Sequence, residues 1–230
     1  MGLLSLLTAL AVAARAVAAT SVLETKCNGK SYTYNELAGY GFVPSNARDK
    51  LGDTISLGSS IAFSSWKKVG DKYQGTFYGL PDRGWNTQGT INFPPRLHKF
   101  AVTLTPAPSA SVSRPSPPNL VVQYQDTILL TGPDGELATG LDPDQTGGLT
   151  YPGFPVLPAA TYPGNGFGGP GPGGKRVSLD AEGLFLGDKG TFWISDEYGP
   201  YVYQFSAGGR MLAAIAPPDA LLPLRNGKVR

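Results

Sequence analysis

Ser178–Leu186 reads S-L-D-A-E-G-L-F-L, Thr191–Ser195 reads T-F-W-I-S, Tyr201–Phe205 reads Y-V-Y-Q-F, and Met211–Ala216 follows. Aromatic and β-branched residues fill these runs, which favours extended chain. Turn chemistry ends each one: Gly187-Asp188-Lys189-Gly190, then Gly199-Pro200, then Ala207-Gly208-Gly209. Four short strands within about forty residues are the size and content of one propeller blade.

Working outward, a second copy is visible upstream. Gly75-Thr76-Phe77-Tyr78 echoes Gly190-Thr191-Phe192-Trp193. Each is followed by acid (Asp82; Asp196 and Glu197) and glycine (Gly84; Gly199), then by a strand ending in Phe100 or Phe205. Ser31–Tyr34 and Gly41–Val43 are short apolar-aromatic stretches, a turn of helix is expected at Asn35–Ala38, and strands are expected at Thr54–Phe63 (broken at Gly58-Ser59-Ser60), Lys72–Leu80, Arg96–Leu104 and Leu120–Leu130. The proline-serine run 105–118 and the glycine-proline run 142–174 read as loop insertions on the surface. The expected fold is all-β and propeller-like, with an antiparallel sandwich as the alternative.

Composition supports this. Among 230 residues there are 31 glycines and 21 prolines, 41% are hydrophobic and 16% are charged, which suits short strands and many turns. A net charge of +2 without a Lys/Arg stripe excludes a phosphodiester-binding groove, so no nucleic-acid partner is expected. Leu3–Ala14 is almost wholly apolar and ends near Ala16-Val17-Ala18, a small-x-small cleavage signal. Residues 1–19 are read as a removed secretory leader and 20–230 as the mature domain; a buried N-terminal helix is the alternative. No other membrane segment is expected, so the protein is expected to be extracellular. The single cysteine, Cys27, is either a buried thiol or paired with a partner beyond this sequence.

If Ser178–Leu186 and Thr191–Ser195 pair as an antiparallel hairpin, Asp180, Glu182, Asp196 and Glu197 gather at one rim. Four acids so close repel unless a cation lies among them, and Ca²⁺ is the hard ion that carboxylates and carbonyls hold. These four are therefore the candidate metal ligands and catalytic acids or bases. Asp82 and Arg83 sit at the corresponding strand end upstream, Lys175 and Arg176 enter the acidic blade, and Tyr198 and Tyr201 flank Gly199-Pro200. Arg83, Asp82, Arg176 and Tyr198 are the candidate substrate contacts, since an Arg fork suits phosphate. The alternative for each acid is a turn former or a partner of an Arg, and for each Tyr a packed ring. His98, the only histidine, lies inside an alternating strand and is read as structural. Without a Gly-x-Ser-x-Gly elbow, a histidine pair at zinc spacing or a Walker loop, those chemistries find no support.

The runs 179–184 (L-D-A-E-G-L) and 190–203 (G-T-F-W-I-S-D-E-Y-G-P-Y-V-Y), with Leu57–Phe63 and Phe77–Gly84 upstream, resemble the phytase-like family, also described as having esterase-like activity of phytase. The resemblance implies a β-propeller, export, and hydrolysis of phosphoric or carboxylic esters, with a small-molecule ester as substrate. It also implies further blades beyond Arg230, so a partial propeller is expected here, with open strand edges prone to aggregation. Two other functions stay open: a non-catalytic extracellular binding module, and an inactive fragment. The oligomeric state is left open by the sequence.

Overall fold

The computed structural model describes residues 23–34, 39–84, 89, 91–111, 113–222, 224–225 and 228–229. The leader 1–19 and the helical turn at Asn35–Ala38 lie outside them. Two compact units are formed, one from 1–38 with 107–117 and the other from 39–106 with 118–230.

In the first unit, β1 (Leu23–Cys27) and β2 (Lys30–Tyr34) form a hairpin in which Cys27 faces Lys30. Asn28 and Gly29 take φ of 48° and 73°, the paired left-handed turn that suits the twist of a two-residue hairpin. Cys27 is exposed and its thiol is free, so the buried-thiol reading does not hold.

The second unit contains two four-stranded antiparallel meanders. The first runs β3 (Ser60–Val69), β4 (Lys72–Leu80), β5 (Arg96–Leu104) and β6 (Leu120–Leu129), hydrogen-bonded in chain order. β7 (Ala159–Tyr162) and β8 (Gly174–Val177) then pair with each other. The second meander runs β9 (Ala181–Leu186), β10 (Phe192–Asp196), β11 (Val202–Phe205) and β12 (Met211–Ile215), again neighbour to neighbour. A last pair, β13 (Leu224–Arg225) and β14 (Lys228–Val229), follows. Both sequence echoes fall on the second strand of their meander, Gly75–Tyr78 inside β4 and Gly190–Trp193 at the entry to β10. Among the described residues the chain is all-β, strand far outweighing helix.

Alternation along the strands gives each meander two faces. Leu80 and Leu97 of the first sheet, and Phe192, Ile194, Tyr203 and Phe205 of the second, belong to one core and are at most 2% exposed. Burial of each such side chain contributes on the order of 1.5–3 kcal/mol. Tyr78 meets Phe192 edge-on at 5.1 Å, and the Leu184 amide donates to Ser60 Oγ at 3.2 Å. These contacts bring β9 beside the start of β3.

The other face of the first sheet stacks Phe77 on Phe100 at 4.9 Å, covered by Val43, Ile55 and Leu57. Arg96 and His98 share this face with Phe100 at intervals of two. Arg96 is fully buried and pairs through Nη1 with Asp49 at 2.8 Å and Asp53 at 2.7 Å. His98 Nδ1 lies 3.0 Å from Thr127 Oγ1, and burial pushes its ring down to about 4. The histidine is thus a neutral core group, as its strand position implied.

Three segments depart from expectation. Residues 54–59 stay outside the sheet, so β3 begins at Ser60 and runs on to Val69. Ser178–Asp180 leaves the strand: the Ser178 amide bonds the Pro158 carbonyl at 3.0 Å and that of Leu179 bonds Thr139 at 2.9 Å. The run 142–174 is not only surface loop, because Leu157, Ala159 and Ala160 are buried and Leu149, Tyr151 and Phe154 pack on the main core.

Candidate functional site

The expected hairpin exists: β9 pairs antiparallel with β10, with Leu186 facing Phe192 and Ala181 facing Asp196. The register slips between Ser195, which faces Gly183, and Asp196, which faces Ala181. Glu182 is therefore the extra residue of a bulge, a device that re-aims a side chain at a strand end. Two bonds from backbone amides lock the rim. The Glu197 amide donates to the Asp180 carbonyl at 3.0 Å, and the Asp180 amide donates to Asp196 Oδ1 at 2.8 Å.

Asp180, Glu182 and Glu197 each offer a carboxylate oxygen within 4.8 Å of the others, close enough to share one metal ion. Asp180 is buried, Glu182 half-buried and Glu197 exposed, so the group opens to solvent on one side. Burial pushes the Asp180 carboxyl up; the nearby Arg83 opposes this, while Glu197 and Asp82 add to it. Glu182 is raised by burial, with Asp180, Glu197 and Asp82 adding to the rise against a hydrogen bond from Ser59. The rim therefore carries more negative charge than Arg83 offsets, which favours a cation.

Asp196 has a different place. It is 5% exposed, and its Oδ2 accepts from the Gly199 amide and the Tyr203 hydroxyl, each at 3.3 Å. Burial pushes its carboxyl up to about 7, against three backbone donors. Its chemistry is that of a brace holding the 196–199 turn, and its oxygens are outside the group that could share an ion.

Arg83 lies just past β4, in the connection to β5 of the first meander. Its Nε lies 2.8 Å from Asp180 Oδ2 without its N–H being aimed at that oxygen, so the contact is a charge pair rather than a hydrogen bond. Nη1 reaches Asp142 at 3.1 Å, and the guanidinium sits 4.8 Å from the Tyr198 ring centre. The Tyr198 hydroxyl donates to the Gly140 carbonyl at 3.1 Å, and burial with an Asp142 contact pushes it up. Asp82 accepts from the Gly84 amide at 2.6 Å, a turn contact that leaves its charge near the trio. Arg176 stacks on Tyr162 at 4.7 Å, and Lys175 pairs with Asp144 at 3.0 Å. Asp142 and Ser59 join the site without any sequence signal, since only folding brings them near 83 and 182.

Beside Tyr198 lies a cavity of about 480 Å³ between the 143–148 and 156–159 segments and the 198–201 turn. Among the described residues, no helix is long and apolar enough to cross a membrane.

An all-β chain of antiparallel meanders with an acidic rim braced by an arginine defines a class of β-sheet proteins whose rim could hold a cation. Residues 63–230 match the model of the phytase-like family, described as esterase-like activity of phytase, and the chain belongs to that family. A protein of Arthroderma benhamiae described as an uncharacterized secreted protein is 60% identical over 212 residues, which are 90% of this chain and 41% of that protein. The chain thus spans about two fifths of that relative's length, and like it is secreted. No solved structure matches.

Proposed function

We propose that this chain contributes two blades to a secreted β-propeller whose rim holds a calcium ion and hydrolyses small phosphoric esters. The observation that carries the reading is the Asp180–Glu182–Glu197 group, three carboxylates within 4.8 Å, with an arginine one contact away. Calcium takes oxygen ligands from carboxylates and carbonyls in flexible geometry, which suits one buried, one half-buried and one exposed acid. Such an ion, when bound, would offset negative charge on a phosphoryl group and lower the pKa of a bound water. The chain's own residues do the rest. Arg83 holds Asp180 in place, the bulge turns Glu182 into the group, and Asp196 fixes the turn that presents Glu197.

The propeller reading is supported by the second sheet's outer face. Phe185 is 68% and Ile215 56% exposed, and Trp193 and Val202 share their side, an apolar face of the kind a further blade would cover. Residues 1–19 fit a cleaved leader in this reading. A non-catalytic binding module remains the second reading, favoured by one observation: Arg83 already offsets part of the charge on Asp180.

The test is hydrolysis of p-nitrophenyl phosphate, with p-nitrophenyl acetate in parallel, by the secreted protein in calcium and in chelator. The proposal expects phosphatase activity that falls at least tenfold in chelator and in Glu182→Gln with Glu197→Gln. Turnover indifferent to both removes the metal reading, and ligand binding without turnover of either ester supports the binding module.

A further inference from the structure

The cavity next to the acidic rim has a chemistry of its own. One side of it is lined by Val156, Leu157, Pro158 and Pro200 with Tyr198 and Tyr201, and the facing 143–148 segment adds polar residues. At about 480 Å³ it falls within the roughly 300–1,000 Å³ range of small-ligand sites. It is pre-formed. The Tyr201 hydroxyl donates to the Val156 carbonyl at 2.8 Å, tying the 198–201 turn to the 156–159 segment. The Tyr201 ring is stacked on Tyr203 at 5.6 Å and 9°. Tyr198 connects the cavity to the rim, because the same ring lies 4.8 Å from the Arg83 guanidinium that pairs with Asp180.

Positive charge is scarce at this wall. Lys175 comes near, but its ammonium pairs with Asp144 and donates to the Gly147 carbonyl. Asp144, a lining residue, is held below the usual carboxylate range by hydrogen bonds from Thr161 and Lys175, so that wall also carries negative charge. A polyol bearing several phosphates would place anions against it. A flat apolar group would instead find aromatic and proline surface on the opposite side.

Resting on the calcium-hydrolase reading above, we propose that the substrate is a phosphate monoester of an apolar, aryl-type alcohol. The cavity holds the alcohol portion and the acidic rim faces the phosphoryl group. In the reaction water oxygen bonds to phosphorus, the bond from phosphorus to the alcohol oxygen breaks, and the alcohol leaves with one proton from that water. Inorganic phosphate is the second product, so no redox partner is needed.

The experiment compares 1-naphthyl phosphate, methyl phosphate and inositol hexakisphosphate as substrates, and measures 1-naphthol binding by fluorescence. Val156→Trp, at an exposed lining position, fills the cavity; its thermal melt confirms folding. The proposal expects kcat/KM for naphthyl phosphate at least tenfold above the other two. It also expects naphthol affinity to fall at least tenfold in Val156→Trp while staying unchanged in Glu197→Gln. Preference for the hexakisphosphate, or naphthol affinity unaffected by Val156→Trp, overturns the substrate class while leaving the hydrolase reading intact. Naphthol binding with no turnover of any phosphate ester overturns the hydrolase reading and, with it, this inference.

Discussion

Replacing Arg83 with methionine should damage stability and reveal the charge it balances. Its partner Asp180 has a side chain only 4% exposed, and Arg83 itself is 13% exposed. Removing one member of a buried pair leaves the other charge uncompensated, at a typical cost of about 3–5 kcal/mol. The slight exposure of Arg83 places this case at the lower end. The Asp142 contact adds little, since that carboxylate is 64% exposed and such pairs contribute roughly 0–1 kcal/mol. Loss of the Tyr198 stack removes a further contribution of about 0.5–1 kcal/mol. Arg83→Met should therefore lose about 3–4 kcal/mol, and for a domain of this size each kcal/mol lowers Tm by roughly 2–4 °C. The assay is urea denaturation in chelator, repeated with Asp180→Asn and with the double variant. Because the double variant removes both charges, it should recover at least half the loss. In millimolar calcium chloride the single variant should also recover, as a cation replaces the guanidinium. An Arg83→Met protein as stable as the parent in chelator, or a double variant no better than the single, would refute the argument that Asp180 carries a buried charge at this rim.

Other outcomes follow from the first sheet and from the β11–β12 turn that meets it. Burial lowers His98 to about 4, so its contribution is present above about pH 6.5 and is lost as pH falls through the folded value, some ~3 kcal/mol in all. His98→Phe should remove that part of the acid sensitivity, read by urea midpoints at pH 7 and pH 4.5. Arg96→Met should cost about 3–5 kcal/mol in the same assay by stranding Asp49, whose side chain is fully buried. Gly209→Ala should destabilise by more than about 1 kcal/mol, because the residue sits at φ 86° and a Cβ would meet the Leu129 carbonyl at 2.0 Å. A thermal melt reads this change.

Local chemistry carried much of the fold into the sequence. Lys72–Leu80 and Arg96–Leu104 are strands over the residues that alternation marks, and the 187–190 turn closes the hairpin as its composition implies. What stayed hidden depends on long-range partners. Ser178–Asp180 looks like strand but is claimed by Pro158 and Thr139 backbone groups. Likewise, Asp49 and Arg96 are 47 residues apart, and nothing in either neighbourhood announces the pair. At the site, the hairpin brought Asp180, Glu182 and Glu197 together. The bulge and the burial of Asp196 were not legible, because the first depends on the register of β9 against β10 and the second on partners at Gly199 and Tyr203. Arg83 is legible as a basic residue at the matching strand end upstream, but its place at the rim and its partners Asp180 and Asp142 emerge only on folding.

Calorimetric titration with calcium of the parent protein and of Glu182→Gln with Glu197→Gln tests the central claim most directly. The account predicts one ion per chain, bound with a Kd of about 0.1–1 mM as in extracellular calcium modules, and at least tenfold weaker binding in the double variant. Heat signals that are absent in the parent, or equal in both proteins, would contradict a cation held by Asp180, Glu182 and Glu197.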